Sequence, residues 1–426
     1  MTQPSLNLNL RGLPKSATLA INARSRAMQQ EGRRVFRFGL GQSPFPVPER
    51  VVDALRLHAP QKDYLPVEGL PALREAVAGF HRRRDHVPAA ADGVLVGPGS
   101  KELMFLLQVA YYGDLVVPTP CWVSYGPQAR IIGRNVVLLP TTFEQRWRLG
   151  PEQLDALCAV DPDRPRVVIL NYPGNPDGGT YTRDELAGLA EVARRNRVLI
   201  LSDEIYGPLH HAGEHHSIAA LYPEGTIVSG GLSKWCGAGG WRLGTFTFPR
   251  ELRWLQDAMA AAASETYTSV SAPIQHAAVT AFRGGIQLER YLGHSRRILA
   301  GLSVALTALL RAADVRLHEP EGGFYAMLDF SRHADALAAR GITDSVQLCE
   351  RLLVETGVAI LPGASFERSP IELTARLAYV DFDGAEALAA SEHVPLAQPL
   401  PEDFVETHCG NVLDGVRALT GWLAGG

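Results

Sequence analysis

The sequence is poor in cysteine, in charge of either sign and in long apolar runs. Five cysteines (Cys121, Cys158, Cys236, Cys349 and Cys409) are scattered through 426 residues with no C-x-x-C pair. So sparse and odd a set excludes a disulfide framework and fits a reducing cytoplasm. Lys and Arg number 41 against 45 Asp and Glu, a net charge of −4. No basic excess therefore points to nucleic acid, and no acidic tail points to a charged partner. No apolar run is long enough to cross a bilayer. The opening Met1-Thr-Gln-Pro-Ser-Leu-Asn7 lacks a basic stretch ahead of an apolar one, so no secretory leader is expected. Repeats and low-complexity tracts are absent. The missing G-x-G-x-x-G, Walker A and G-x-S-x-G motifs remove the simplest dehydrogenase, NTPase and esterase readings.

What is present is material for a core. Hydrophobic residues make up 46% of the chain and charged residues 20%, which rules out disorder as the main state. The length suits two to three domains' worth of chain, or one large α/β domain with an appendage. Short β-branched runs recur at Val94–Val96, Leu115–Val117, Val167–Leu170, Val198–Leu201 and Thr226–Val228. Without polar alternation, such runs predict strands buried on both faces of a parallel sheet. Thr182-Arg-Asp-Glu185 reads as a capping box opening a helix with Leu186, Leu189, Ala190 and Val192 on one face. A long amphipathic helix is expected over Tyr291–Ala312. Further strands are expected at Gly323–Asp329 and Ala375–Asp381. Residues 386–408 read as an extra loop before a last helix, Asn411–Leu423. Residues 1–48 read as a mobile lead. The expected division is 1–48 plus 295–426 as a smaller domain built from both chain ends, and 49–294 as the larger one.

In an open α/β sheet, ligands bind outside the carboxyl ends of the strands. The predicted strand ends carry Gly97-Pro-Gly-Ser-Lys-Glu102, Pro118-Thr-Pro-Cys-Trp-Val-Ser-Tyr125, Asn171-Tyr-Pro-Gly-Asn-Pro-Asp-Gly178, Ser202-Asp-Glu-Ile-Tyr206 and Ser229-Gly-Gly-Leu-Ser-Lys234. One edge thus gathers a glycine-rich helix start, a Trp, an Asn, an Asp, a Tyr and a Lys. A flat, anionic, aldehyde-bearing cofactor with a basic ring nitrogen is a ligand that wants all of these. Lys234 offers an amine for imine formation. Asp203 offers an anion for the ring nitrogen, and Trp122 a π-face for stacking. Ser100 and Lys101 begin a helix whose free N–H groups suit a phosphate, with Arg242 as its cation. Each residue alone has an ordinary structural alternative: a surface lysine or arginine, a capping Asp, a core Trp, a half-buried Tyr, a turn Asn.

Taken in order, these stretches resemble the class I and II aminotransferases of fold type I, which use pyridoxal 5′-phosphate. The resemblance rests on Gly41-Gln-Ser-Pro, Tyr64-Leu-Pro-Val-Glu-Gly69, Gly99-Ser-Lys101, Trp122-Val-Ser-Tyr125, Asn175-Pro-Asp-Gly178, Ser202-Asp-Glu-Ile-Tyr206, Leu232-Ser-Lys234, Gly240-Trp-Arg242 and Arg376, and runs from about 36 to 384. It implies an α/β fold, with a large domain around a mainly parallel sheet flanked by helices and a smaller α/β domain. It implies that Lys234 forms the Schiff base and then moves the proton, in ping-pong transfer of an amino group between an L-amino acid and a 2-oxo acid. It makes Tyr206 and Asn175 partners of the ring hydroxyl, with Asn175 and Trp122 also against substrate. Ser233 becomes a phosphate donor, and Arg376 the partner of the substrate α-carboxylate. Gly41 is a point of close substrate approach. Tyr64 is implied to reach the phosphate in a neighbouring subunit, making a homodimer with shared sites. Lys101 suggests an acidic substrate. Two departures stand out: Asp177 where the family usually has Thr, and Gly231 where relatives often have Ser.

Two further readings share the fold. One is elimination, replacement or ring formation with the same cofactor. The other is an effector-sensing domain without catalysis, which would call for a DNA-binding segment that the first 48 residues do not suggest. The run His210-His-Ala-Gly-Glu-His-His216 lacks the H-E-x-x-H order, and no metal is expected there.

Overall fold

The computed structural model describes residues 7–425. Strand β1 is Phe36–Arg37. A central sheet follows, formed by β2 (Val94–Gly97), β3 (Asp114–Thr119), β4 (Val136–Pro140), β5 (Arg166–Asn171), β6 (Leu199–Asp203), β7 (Thr226–Gly231) and β8 (Gly244–Thr247). Its strand order is β2-β8-β7-β6-β5-β3-β4. All neighbours are parallel except across β8, which runs against both β7 and β2. The expected five strands are all present. The apolar runs of β5 and β7 are buried along almost their whole length, as a sheet covered on both faces requires.

The helices between the strands show their sequence causes. Thr182 caps Arg183–Arg195: its hydroxyl accepts from Glu185 N at 3.2 Å, while Glu185 Oε2 accepts from Thr182 N at 2.7 Å. Leu186, Leu189, Ala190 and Val192 form the buried face of that helix. Pro71 sits in the first turn of Pro71–Arg84, where its missing N–H leaves no bond unmade.

Toward the C-terminus, β9 (Tyr325–Asp329), β10 (Val358–Ala359), β11 (Leu361–Pro362) and β12 (Thr374–Ala378) follow the long helix Ile286–Ala312. Antiparallel β11-β12-β9 make a second sheet, and β1 pairs in parallel with β10, joining the two ends of the chain. Here the structure corrects three expectations. Residues 7–48 are not merely a lead, since they form the helix Ala17–Gln30 and β1. The segment 386–408 is not all loop. Gly384–Glu392 is a helix, capped by Asp383, whose carboxylate accepts from Ala385 N and Glu386 N at 3.0 Å. The last helix begins at Phe404 rather than Asn411, because Phe404, Cys409, Val412 and Val416 continue its buried stripe.

Candidate active site

A cleft of about 540 Å³ opens at the carboxyl ends of the central strands. Asn171 and Asp203 end β5 and β6, and Ser233 and Lys234 follow β7. Ser100 and Lys101 begin the helix after β2, Trp122 follows β3, and Arg242 precedes β8. Both chain ends close the other side, with Thr18, Leu19, Gly41 and Gln42 from one and Tyr325 and Arg376 from the other. Of the residues expected in the site, Lys234, Asp203, Tyr206, Asn175, Ser100, Lys101, Trp122, Ser233, Arg242, Gly41 and Arg376 all line this one cleft. Tyr64 does not; it is 90% exposed.

Asp203 is buried at the centre. Its Oδ2 accepts from the Tyr125 hydroxyl at 2.7 Å and its Oδ1 from Ser229 Oγ at 3.3 Å. Burial pushes its carboxyl up to about 6, against the pull of Tyr125, Ser229 and the Lys234 charge. Two hydroxyl donors thus orient a carboxylate that forms no ion pair among the described residues, ready for a cation in the cleft. Asn171 Nδ2 donates to Asp203 O at 2.8 Å, and Asn171 Oδ1 accepts from Asn175 N at 2.8 Å, tying two strand ends together.

Lys234 Nζ donates to Gly41 O at 2.9 Å and stands 5.4 Å from the centre of the Tyr206 ring. The Tyr206 and Tyr325 hydroxyls are 2.9 Å apart. Burial and the Tyr325 phenol beside it push the Tyr206 hydroxyl well above the ordinary tyrosine range, so it stays protonated and able to donate.

Arg376 is 1% exposed. One guanidinium nitrogen donates to Asn175 Oδ1 at 3.0 Å and another to Gly39 O. Its Nε is buried without a partner. A buried guanidinium with an unused N–H costs free energy until an acceptor arrives, and a carboxylate fits that need.

The anion cradle is at the other end. Gly99 has φ +96°, and a β-carbon there would lie 2.1 Å from the Arg242 guanidinium. Arg242, itself at φ 54°, is held by Gly239 O at 2.8 Å and Pro98 O at 3.3 Å. The helix start at Ser100 and this fixed cation thus face the same space. Gly231 offers nothing to the cradle: a β-carbon would stand 2.7 Å from Leu243 O and 3.0 Å from Gly244 Cα, so the start of β8 leaves no room for a serine. Lys101 Nζ lies 5.1 Å from the Trp122 ring centre, and burial together with Arg242 and Lys234 lowers its pKa.

The other conspicuous residues are placed elsewhere. Asp177 is half-buried and accepts from Gly179 N at 3.0 Å, closing its own turn. His215 donates to the buried Glu204 at 2.9 Å, and Glu204 also takes hydroxyl bonds from Ser202 and Ser217 at 2.6 Å. Among the described residues, no cluster of three or more His, Cys, Asp or Glu has metal-holding geometry. Sequence reasoning missed Tyr125 as the partner of Asp203, and it missed Tyr325 altogether. Tyr125 stood inside a quoted motif, but its hydroxyl partner comes from another strand.

The family described as aminotransferase class I and II matches residues 33–383. Among curated relatives, the aspartate aminotransferase of Bacillus sp. strain YM-2 is 32% identical over 83% of this chain and 90% of its own. The aspartate/prephenate aminotransferase of Thermus thermophilus is 33% identical over 85% and 91%. Among solved structures, a Thermus thermophilus aspartate aminotransferase with maleate superposes with a TM-score of 0.84 at 27% identity, covering 98% of this chain and 100% of that one. The aspartate aminotransferase of Rhizobium meliloti gives 0.81 at 26% identity, covering 99% of each. With the match running through every strand end that lines the cleft, the chain belongs to the class I and II aminotransferases of fold type I.

Proposed function

We propose that the cleft binds pyridoxal 5′-phosphate and transfers the amino group of an acidic L-amino acid to a 2-oxo acid. The observation that carries this is the meeting of Lys234, Asp203, Tyr206, Arg242 and Arg376 around one cleft. Four lining cations (Lys101, Lys234, Arg242, Arg376) face one lining acid, Asp203. Such an excess calls for anionic ligands, and a phosphate with carboxylates supplies them. The buried Asp203 and the cradle at Gly99 fit a ring nitrogen at one end and a phosphate at the other.

When bound, the cofactor supplies an electron sink for the electrons left at the substrate Cα. Asp203 holds the ring nitrogen charged; at about 4 Å and an effective dielectric near 20 such a pair is worth on the order of 4 kcal/mol. Tyr206 and Asn175 would donate to the ring hydroxyl, Trp122 would offer its face to the ring, and Ser100, Ser233 and Arg242 would hold the phosphate. Arg376 takes the α-carboxylate on its free edge and so fixes the direction of the Cα–H bond. Lys234 would anchor the cofactor through its Nζ, and the same amine, when free, is the base placed to take the Cα proton.

Lys101 has no ion-pair partner among the described residues and lines the cleft, which supports a second carboxylate on the substrate. The Thermus thermophilus structure with maleate, a dicarboxylate, supports the same reading. Lys101→Ala should raise KM for acidic amino acids by about 10-fold or more, the worth of one charged hydrogen bond, and leave neutral ones unchanged; an equal rise for both removes the acidic assignment. We further propose a cytoplasmic homodimer in which Tyr64 serves the partner's phosphate site, and a division of the chain at 48/49 and 294/295.

The test is the visible spectrum of the loaded protein. A yellow absorbance that Lys234→Ala abolishes is expected. One amino acid, added without a 2-oxo acid, should bleach it and yield one equivalent of the corresponding oxo acid. If colour persists while product accumulates without an acceptor, elimination or replacement is the activity instead.

A further inference from the structure

Tyr325 touches two of the groups that the proposed reaction uses, Tyr206 and Arg376, yet that reading gives it no task. It lies on β9, 1% exposed. Its hydroxyl is 2.9 Å from the Tyr206 hydroxyl and 3.4 Å from Gly41 O. Gly41 O also accepts from Lys234 Nζ at 2.9 Å. The Arg376 guanidinium sits 4.7 Å from the centre of the Tyr325 ring. A β-carbon at residue 41 would stand 1.8 Å from the Tyr325 hydroxyl. Glycine at 41 therefore makes room for this phenol.

A phenol carries one hydrogen. That of Tyr325 has two acceptors in reach, Gly41 O and Tyr206 Oη. At 2.9 Å against 3.4 Å, the contact to Tyr206 is the better of the two. Tyr206 then accepts from Tyr325 and directs its own hydrogen into the cleft, and a hydroxyl that accepts a bond donates more strongly.

We propose that Tyr325 is a positioning residue: by donating to the Tyr206 hydroxyl it strengthens the hydrogen bond that Tyr206 gives into the cleft. The proposal rests on the reading that Tyr206 donates to the ring hydroxyl of pyridoxal phosphate. No covalent step is added.

The experiment is a pH titration of the visible absorbance of the loaded enzyme in four forms: the natural protein, Tyr325→Phe, Tyr206→Phe and the double variant. Donors to a negatively charged ring oxygen favour its deprotonated state and hold the midpoint low. Tyr206→Phe should raise the midpoint by about one pH unit or more, the effect of one lost hydrogen bond to a charged group. Tyr325→Phe should raise it by about 0.1–0.6 unit, the 10–30% that cooperativity adds to a bond of that strength. In the Tyr206→Phe background, Tyr325→Phe should add nothing. Both changes keep the ring, and so the packing under Arg376. An unmoved midpoint in Tyr325→Phe, or the same displacement with and without Tyr206, overturns the coupling between the two phenols. A natural protein that stays colourless after incubation with pyridoxal phosphate overturns the cofactor reading and the coupling with it. Colour with additive variants overturns the coupling alone.

Discussion

A carboxylate buried without a cation is costly to keep ionised, and Asp203 is held in that situation by two hydroxyl donors. Its carboxyl is pushed up to about 6 by burial, against about 3.9 in an unfolded chain. The folded, cofactor-free protein thus binds that proton more tightly than the unfolded one. The resulting stability is fully present below about pH 4 and is lost as pH rises through about 6, on the order of 3 kcal/mol in all. Asp203→Asn removes the titration. Without cofactor, the variant should melt below the natural protein near pH 4 and at or above it at pH 8. Loaded with cofactor at pH 8, the order should reverse, because the ring nitrogen loses its anion, and affinity should fall by about 100-fold or more. Thermal melts at both pH values, with and without pyridoxal phosphate, check both halves. An apoprotein whose order of stability is the same at pH 4 and pH 8 would mean that Asp203 is not the group strained by burial. Asp203, Lys234 and Arg376 were readable in the sequence because their chemistry belongs to the residue type and their place to a strand end or a motif. Tyr125 and Tyr325 were not, because a tyrosine becomes functional only through the acceptor its hydroxyl meets. Those acceptors lie 78 and 119 residues away in sequence.

The same contrast holds for elements. The five strands read from sequence have unbroken β-branched runs. Of the central sheet, β4 and β8 were missed: β4 (Val-Val-Leu-Leu-Pro) carries the same kind of run and could have been read, and only β8 breaks the pattern. β4 is an edge strand with no fully buried residue. β8 is Gly-Thr-Phe-Thr, whose threonines read as polar although all four positions are buried. Missing β8 hid the reason for the Gly231 departure, since it is β8 that fills the space beside β7. The helix Gly384–Glu392 was hidden by the acids and prolines that follow it, although Asp383 marks its start. The helix Ser100–Ala110 gives the clearest test at this scale. Its N-terminus faces Arg242 across Gly99, where a methyl group has no space and the backbone has positive φ. Gly99→Ala should push Arg242 off its carbonyl anchors and misalign the first N–H groups of the helix. We expect cofactor affinity to fall by about 10-fold or more, with the cost concentrated in phosphate binding. Titration with pyridoxal phosphate and with pyridoxal, which lacks the phosphate, separates the two. If both ligands weaken equally, the cradle is not where the damage lies.

For the whole molecule, the question is which chain completes which site. The cleft already draws on both ends of one chain, with Gly41 opposite Lys234 and Arg376 bonded to Asn175 and Gly39. Sequence order listed these residues correctly but gave no distances, because such contacts are made by the fold between positions up to 337 residues apart. Tyr64 is the residue left over: it belongs to the family pattern, yet it is 90% exposed and lines no part of its own cleft. An exposed tyrosine of this kind is explained if it enters the site of a second copy related by a two-fold axis. That arrangement has a quantitative consequence. Lys234→Ala chains alone have no working site, and Tyr64→Ala chains alone have only weakened ones. In a mixed dimer, one site receives both substitutions and the other receives neither. Random reassociation of equal amounts makes about half of the dimers mixed, so about one quarter of all sites should work at the natural rate. The kcat/KM of the mixture should therefore exceed the mean of the two parents, and it should rise only after the chains have been allowed to exchange. If each Tyr64 served its own chain, every mixed dimer would hold one dead and one weakened site, and exchange would change nothing. Recovery on exchange thus distinguishes a shared site from a dimer whose two sites merely sit side by side.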